Sequence, residues 1–277
     1  MPFETVTLND GNKMPAIAFG TGSKWKGQDV TEYVEQAIET GFSHIDTAQW
    51  YANEDSVGKA IRESALERSE LFITTKWSGL TSIPDALGLK QIDLYLIHNP
   101  NAGGTIEGNW REFEKIKEEA LAKSIGPAVN QIFFHPYNYA QNKELLEFST
   151  KHGIVTEAYS SLAPITRFPG GPVDKPVQAA AKRLNATPTQ VILSWVRSKG
   201  VVIVTTSSSK EHLQEYLTVA DLPPLTEEEI AAIDEAGAKG PSTIRTLVRS
   251  SHIRLAISVF QMAVGLWGVY RVWRCYI

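Results

Sequence analysis

Cysteine is almost absent from this sequence. The single Cys275 cannot form an internal disulfide, so the composition does not require an oxidising compartment. No cysteine or histidine cluster has the spacing of a metal site, and no GxGxxG fingerprint follows the first apolar strand, which counts against a Rossmann fold. Residues 1–15 lack the apolar run of a secretion signal, which predicts a cytoplasmic protein. A net charge of −4 argues against a nucleic-acid-binding protein.

Acidic residues are also absent after Glu235, where the character of the chain changes. Five arginines lie in residues 245–277, so residues 1–244 carry a net charge of −9. An apolar run at 255–270 approaches the length of a membrane-spanning helix, roughly 17–20 residues, if it extends to Trp273. We therefore divide the chain into a body at 1–244 and a tail at 245–277, with a candidate membrane anchor at 255–273. The alternatives are a tail packed on the body and read-through sequence without an evolved role.

The body alternates short apolar strands with amphipathic helices. The whole chain of 277 residues, 43% of them hydrophobic, is long enough for one large domain or two small ones with a sizeable core. Alternation of this kind predicts a parallel sheet, and many short strands favour an α/β fold of the (β/α)8 TIM-barrel type over a doubly wound sheet. The predicted strands lie at 17–20, 44–46, 71–75, 92–97, 128–132, 154–159 and 201–204, and the predicted helices include 31–40, 109–122, 142–152 and 189–199.

Polar residues follow three successive strands of this pattern. Asp46 ends one strand, Lys76 follows the next, and His98 follows the third; Tyr51 lies in the loop after Asp46. Each alone is more often a solvated terminus or a loop residue. In a parallel barrel, however, the carboxyl ends of the strands converge on one face, where catalytic residues gather. The sequence therefore predicts that these four side chains share one site.

Several motifs in this order resemble the aldo-keto reductase family, in particular its fungal and bacterial branch that reduces small α-keto compounds and aldehydes. They are GFSHIDTAQWYANEDSVGKAI, TTKW, LIHNP, VNQIFFHPY, GIVTEAYSSLAP and VTTSSS, and the resemblance covers residues 5 to about 240. It implies NADPH-dependent reduction of an aldehyde or α-keto compound to an alcohol. Tyr51 would be the general acid, and the Lys76 cation, held by Asp46, would lower its pKa. His98 would orient the substrate carbonyl.

The resemblance also implies a cofactor site and a substrate pocket. Trp25 and Trp77 would line the pocket for a small carbonyl substrate. The residues expected at the cofactor are Gly22, Ser23, Gln131, Tyr159, Ser160, Leu162, Thr206, Ser207 and Lys210. Thr206 and His212 stand where the family usually has a lysine and an arginine for the adenosine 2′-phosphate, so NADH is the alternative to NADPH. No metal is expected, and we expect a monomer.

One departure from the family pattern concerns the barrel wall. Lys123-Ser124-Ile125-Gly126 runs through Pro127 directly into Ala128-Val129-Asn130-Gln131, whereas parallel neighbours need a crossover of about a dozen residues. We therefore expect one βα unit near residues 123–131 to be missing or distorted. A smaller shortening precedes Leu87. The alternative reading of the chain is a catalytically impaired, shortened isoform that binds nucleotide poorly and has reduced stability.

Overall fold

In the described part of the chain, ten strands form a small hairpin and a large, curved parallel sheet. The computed structural model describes residues 3–79, 85–99 and 103–241. Strands β1 (Thr5–Thr7) and β2 (Lys13–Pro15) pair antiparallel. The other eight are β3 (Ile17–Gly20), β4 (His44–Asp46), β5 (Phe72–Trp77), β6 (Ile92–Ile97), β7 (Ala122–Ile125), β8 (Val129–Phe133), β9 (Val155–Tyr159) and β10 (Val202–Thr205). Their order in the sheet is β7-β6-β5-β4-β3-β10-β9-β8, all parallel, which is a (β/α)8 barrel that is nearly closed.

Helices connect most of the parallel strands and cover the outside of the sheet. They are α1 (Thr31–Thr40), α2 (Glu54–Glu63), α3 (Ile106–Glu118), α4 (Tyr139–Lys151), α5 (Ala163–Thr166), α6 (Asp174–Leu184), α7 (Pro188–Ser198), α8 (Lys210–Leu217) and α9 (Glu227–Ala238). Gly41, with φ of +117°, ends α1 in the left-handed conformation that glycine tolerates. Thr226 and Glu229 form a capping box at the start of α9.

The hydrophobic core lies mainly between the sheet and these helices. Helix α7 buries residues 191–196 as a continuous stretch, as expected for a helix packed between the sheet and neighbouring helices. Its Trp195 is fully buried and stacks on Phe134, with ring centroids 5.4 Å apart. This core fixes the carboxyl ends of β8 to β10, which carry part of the site described below.

The barrel wall has a break between β7 and β8, which we call the seam. Only the 3₁₀ turn Gly126–Ala128 connects these strands, β7 pairs with β6, and β8 pairs with β9. The helix of the expected βα unit is therefore absent, since no crossover helix lies between β7 and β8. Both strands are nevertheless formed. The loop between β1 and β2 contacts the seam through two hydrogen bonds. Asn12 Nδ2 donates to Ser124 Oγ at 3.0 Å, and Asn9 Nδ2 donates to the Pro127 carbonyl at 3.2 Å.

The second shortened crossover joins β5 to β6. The described residues between these strands contain a single 3₁₀ turn, Asp85–Leu87, and no α-helix. This turn packs directly on α2 at Gly58, where a Cβ would lie 2.2 Å from the Leu87 carbonyl oxygen. Arg62 Nη1 donates to the same carbonyl at 3.1 Å, so the short connection is held against α2.

The tail at 245–277, with its candidate anchor at 255–273, lies outside the described residues. Within the part of the chain that the structure describes, no helix is both long enough and apolar enough to cross a membrane.

Candidate active site

A cavity of about 890 Å³ opens at the carboxyl ends of the barrel strands. Asp46, Tyr51, Lys76 and His98 all line it, so the structure brings together the four side chains that the strand ends predict. Asp46 is the last residue of β4, Lys76 lies near the end of β5, and His98 directly follows β6. Tyr51 ends the 3₁₀ turn that follows β4.

Asp46 and Lys76 form a buried ion pair at the base of the cavity. Lys76 Nζ donates to Asp46 Oδ1 at 2.6 Å and to Oδ2 at 2.7 Å, and also to the Thr47 carbonyl at 2.9 Å. Burial disfavours the ammonium, but Asp46 together with Tyr51 and Glu157 outweighs this effect and holds the pKa of Lys76 above its ordinary value. Lys76 therefore carries a fixed positive charge at neutral pH.

Tyr51 lies between two lysines, with Lys76 Nζ 5.3 Å and Lys26 Nζ 5.2 Å from its ring centroid. Burial raises the pKa of Tyr51 and outweighs the opposing effect of the Lys76 charge, so the net shift is upward. Lys76 does lower this pKa, as expected, but desolvation of the phenolate is the larger effect. Gly22 leaves room for the ring, since a Cβ there would lie 2.3 Å from Cζ of Tyr51.

His98 meets Tyr51 edge to face, with ring centroids 5.4 Å apart. Its Nδ1 lies 3.0 Å from the Ser78 hydroxyl. Burial, followed by the charge of Lys76, lowers the pKa of His98 to about 4. The imidazole is therefore neutral around pH 7, with one nitrogen held by Ser78.

Gln131 connects the ion pair to a second buried carboxyl group. Its Nε2 donates to Asp46 Oδ2 and to Glu157 Oε2, both at 2.9 Å. Glu157 is fully buried, and burial together with the nearby Asp46 charge raises its pKa to about 7. Because both N–H groups of the Gln131 amide are used, its carbonyl oxygen remains as the group that can accept a hydrogen bond.

Most of the expected cofactor residues line the same cavity. They are Gly22, Ser23, Gln131, Tyr159, Ser160, Leu162 and Thr206. Tyr159 is 43% exposed and so presents an aromatic surface to the cavity. Ser207 and Lys210 are not part of the lining: the Ser207 hydroxyl lies 3.3 Å from His212 Nδ1, and Lys210 pairs with Glu39 at 3.2 Å.

The two expected pocket tryptophans lie elsewhere. Trp25 is buried and stacks on Tyr33 of α1, with centroids 4.5 Å apart. Trp77 packs against Phe113 of α3, on the outer side of the sheet. Neither lines the cavity, because the packing of α1 and α3 draws both rings away from it.

The chain was compared with known proteins. The Aldo/keto reductase family model matches residues 16–126 and 118–238. An aldo-keto reductase of Mycolicibacterium vanbaalenii is 39% identical over 262 residues, covering 83% of this chain and 91% of that protein. An NAD/NADP-dependent indole-3-acetaldehyde reductase of Schizosaccharomyces pombe is 34% identical over 268 residues, covering 83% and 93%. The crystal structure of an aldo/keto reductase from Brucella melitensis superposes with a TM-score of 0.74 at 31% identity, covering 84% and 99%.

The chain belongs to the aldo/keto reductase family. Membership places it among nicotinamide-dependent oxidoreductases that act on carbonyl compounds. The family match is split into two segments that meet at residues 118–126, next to the turn between β7 and β8. The seam is therefore a departure of this aldo/keto reductase from the family pattern.

Several residues at or behind the cavity of this aldo/keto reductase were not predicted from the sequence. Lys26, Trp110 and Arg167 line it, and Glu157 lies behind Gln131. The sequence could have indicated Glu157, because a carboxylate inside the apolar strand at 154–159 needs a buried partner. No sequence pattern indicates Trp110, since its contact with the cavity depends on the seam.

Proposed function

We propose that this aldo/keto reductase uses NADPH to reduce an aldehyde or an α-keto compound to an alcohol, with Tyr51 as the general acid. The observation that carries the proposal is the buried Asp46–Lys76 ion pair beneath Tyr51, with His98 5.4 Å away across the same cavity. The yeast relative supports an aldehyde substrate, since its name states that it reduces one.

The residues around the cavity fit a nicotinamide cofactor. Gln131 offers a carbonyl oxygen to a carboxamide N–H, and the exposed face of Tyr159 offers a stacking surface. Thr206 Oγ1 is buried without a hydrogen-bond partner among the described residues, which suits a polar group of a ligand. Ser160 and Leu162, in the loop after β9, would contact the phosphates. When bound, the reduced nicotinamide supplies the hydride.

The protein's own part is to hold the carbonyl and deliver a proton. Tyr51 keeps its proton around pH 7, since its pKa is raised. It donates this proton to the carbonyl oxygen, and the Lys76 charge stabilises the phenolate that forms. A Ser78 hydroxyl that donates to His98 Nδ1 leaves the imidazole proton on Nε2, from which it can hydrogen-bond the carbonyl oxygen. Asp46 keeps Lys76 in place during this step.

The charge of the cavity supports a phosphate-rich cofactor. Lys26 and Arg167 line it, and neither forms an ion pair with a described residue. Lys210, which would replace the family's usual cation near the 2′-phosphate, pairs with Glu39 on the exposed surface. An exposed pair of this kind is worth about 1 kcal/mol or less, so a phosphate can displace Glu39. We therefore favour NADPH and expect NADH to bind more weakly.

The test is carbonyl-dependent NADPH oxidation by the full chain and by Tyr51→Phe. Loss of general-acid catalysis should lower kcat by roughly 10²–10⁴-fold, while the Kd for NADPH stays within about two-fold. Tyr33→Phe is the matched control, because Tyr33 stacks on Trp25 outside the cavity lining, and it should keep full activity.

A second candidate is a non-catalytic form that binds nucleotide poorly, favoured by the seam in the barrel wall. Under that reading, no carbonyl would drive NADPH oxidation, and Tyr51→Phe would behave like the unchanged chain. Unchanged turnover in an active Tyr51→Phe variant would instead refute the role of Tyr51.

A further inference from the structure

The active-site cavity passes through the barrel wall. Leu96 is the register partner of Lys76, so it lies beside the ion pair on the inner side of the sheet. Tyr95, its neighbour, stacks on Phe113 of α3 with centroids 4.8 Å apart, so alternate residues of β6 face the outer layer. The cavity is lined by Leu96 and also by Ile97 and Trp110, which belong to that outer layer. It therefore reaches both sides of the sheet.

The seam explains this passage. Strand β7 pairs with β6 only from Ile92 to Tyr95, so within the described part of the chain the last residues of β6 have no strand neighbour on that side. The chain then crosses to β8 through Gly126, which has no side chain to fill the gap. Trp110 lies over this glycine, since a Cβ at position 126 would be 2.8 Å from its Cζ3.

The walls of the passage are apolar. We define the seam pocket by five side chains and the glycine between them: Leu96, Ile97, Trp110, Gly126, Pro127 and Val129. None of these residues is charged, and Trp110 supplies a large aromatic surface. The inner end of the seam pocket lies beside Lys76, close to where Tyr51 and His98 meet a carbonyl group under the proposed function.

We propose that the seam pocket binds an aromatic or bulky apolar group of the carbonyl substrate. The inference rests on the proposed function for the identity of the reacting group. A substrate whose carbonyl lies at Tyr51 can place such a substituent between Leu96 and Trp110 without leaving the cavity. Removing apolar surface from water and contacting the indole both favour this placement. The substrate class is therefore aryl-substituted or branched aldehydes and ketones, rather than the smallest carbonyl compounds.

The kinetic test compares 3-phenylpropanal with propanal, which share a reacting group and differ in the aryl substituent. Gly126→Val fills the seam pocket beside Trp110. It should lower kcat/KM for 3-phenylpropanal at least ten-fold and leave kcat/KM for propanal within two-fold. Lys115→Val, on the exposed part of α3, is the control and should leave the ratio of the two values unchanged.

A binding measurement keeps the proposal testable if Gly126→Val fails to fold or no turnover is found. The full chain is titrated with 3-phenylpropan-1-ol, which carries the aryl group but no carbonyl, and tryptophan fluorescence is followed. We expect a saturable change that disappears in Trp110→Phe, while propan-1-ol at the same concentrations causes none.

The outcomes separate the two proposals. Saturable, Trp110-dependent binding without NADPH oxidation would support the seam pocket and refute the proposed function. Both aldehydes could also be turned over, with the same ratio of kcat/KM values in the full chain and in a folded Gly126→Val variant. That result would overturn the seam pocket and leave the proposed function standing. Absence of both binding and turnover would overturn both.

Discussion

At the centre of the barrel lie four ionisable side chains: Asp46, Lys76, Glu157 and His44. Lys76 is held positive by Asp46, whereas Glu157 is fully buried and contacts no charged cation among the described residues. Its Oε2 accepts a hydrogen bond from Gln131, and its Oε1 has no hydrogen-bond partner among the described residues; His44 Nε2 lies 4.0 Å away. Burial lowers the pKa of His44 to about 4, so that imidazole is neutral and provides no counter-charge.

Glu157 should make the stability of the protein depend on pH. Folding raises the pKa of this carboxyl group from 4.5 to about 7, so its ionisation disfavours the folded state. The protonated Glu157 carboxyl group therefore contributes to the free energy of unfolding. This contribution is fully present below about pH 4.5 and is lost as the pH rises through 7. Relative to the wild type, Glu157→Gln should therefore gain free energy of unfolding between pH 4.5 and 8, by about 3 kcal/mol at most.

Urea unfolding at several pH values measures this difference. Glu147→Gln is the control, because Glu147 lies on the exposed face of α4 and its carboxylate stays in water in both states. Its stability relative to the wild type should not change with pH. A pH-independent difference for Glu157→Gln as well would show that Glu157 does not titrate in this range.

Among the strands next to the seam, a single carboxylate connects β5, β6 and β7. Asp93 of β6 is buried, and its Oδ2 accepts from Arg68 Nη2 at 2.6 Å and from the Ile73 N–H of β5 at 2.9 Å. Its Oδ1 accepts from Lys123 Nζ of β7 at 2.7 Å. Asp93 therefore holds β7 against β6, the strand with which β7 pairs.

Asp93→Ala should destabilise the protein by roughly 3 kcal/mol, because it removes three hydrogen bonds, two of them from charged side chains, from a buried position. Lys117→Ala is the control. It removes a more exposed ion pair, to Asp10, and should cost about 1 kcal/mol or less. Denaturant unfolding of both variants gives the comparison, and equal losses would contradict the role assigned to Asp93.

The sequence predicted most of the elements but not β7, whose first residue it placed in a helix. It also predicted the meeting of Asp46, Tyr51, Lys76 and His98, because two of them lie at the ends of strands of a parallel sheet and two lie in the segments that follow such strands. It failed where a side chain's direction depends on distant packing. Trp25 turns toward Tyr33 rather than the cavity, and Lys210 turns toward Glu39 of α1. The sequence indicated the position of the missing crossover near residues 123–131. It did not indicate the arrangement of β7 and β8, because this depends on distant contacts such as that of Asn12 with Ser124, 112 residues apart.

At the scale of the whole molecule, the seam should lower stability. A closed barrel has no free sheet edge, whereas here β7 and β8 each have an edge that pairs with no strand among the described residues. Ordinary mesophilic domains melt at about 45–65 °C. We expect the full chain to melt at or below about 45 °C, as measured by circular dichroism, and a cooperative transition well above that temperature would contradict this expectation.

We expect the site to keep its function despite the break in the barrel wall. An NADPH titration of the purified full chain, followed by quenching of tryptophan fluorescence, measures this. Saturation is expected in the micromolar range, since Gln131, Tyr159 and Thr206 remain in place around the cavity. No saturation at millimolar NADPH would contradict this expectation and would mean that the Asp46–Lys76 pair and Tyr51 no longer serve a cofactor in this chain.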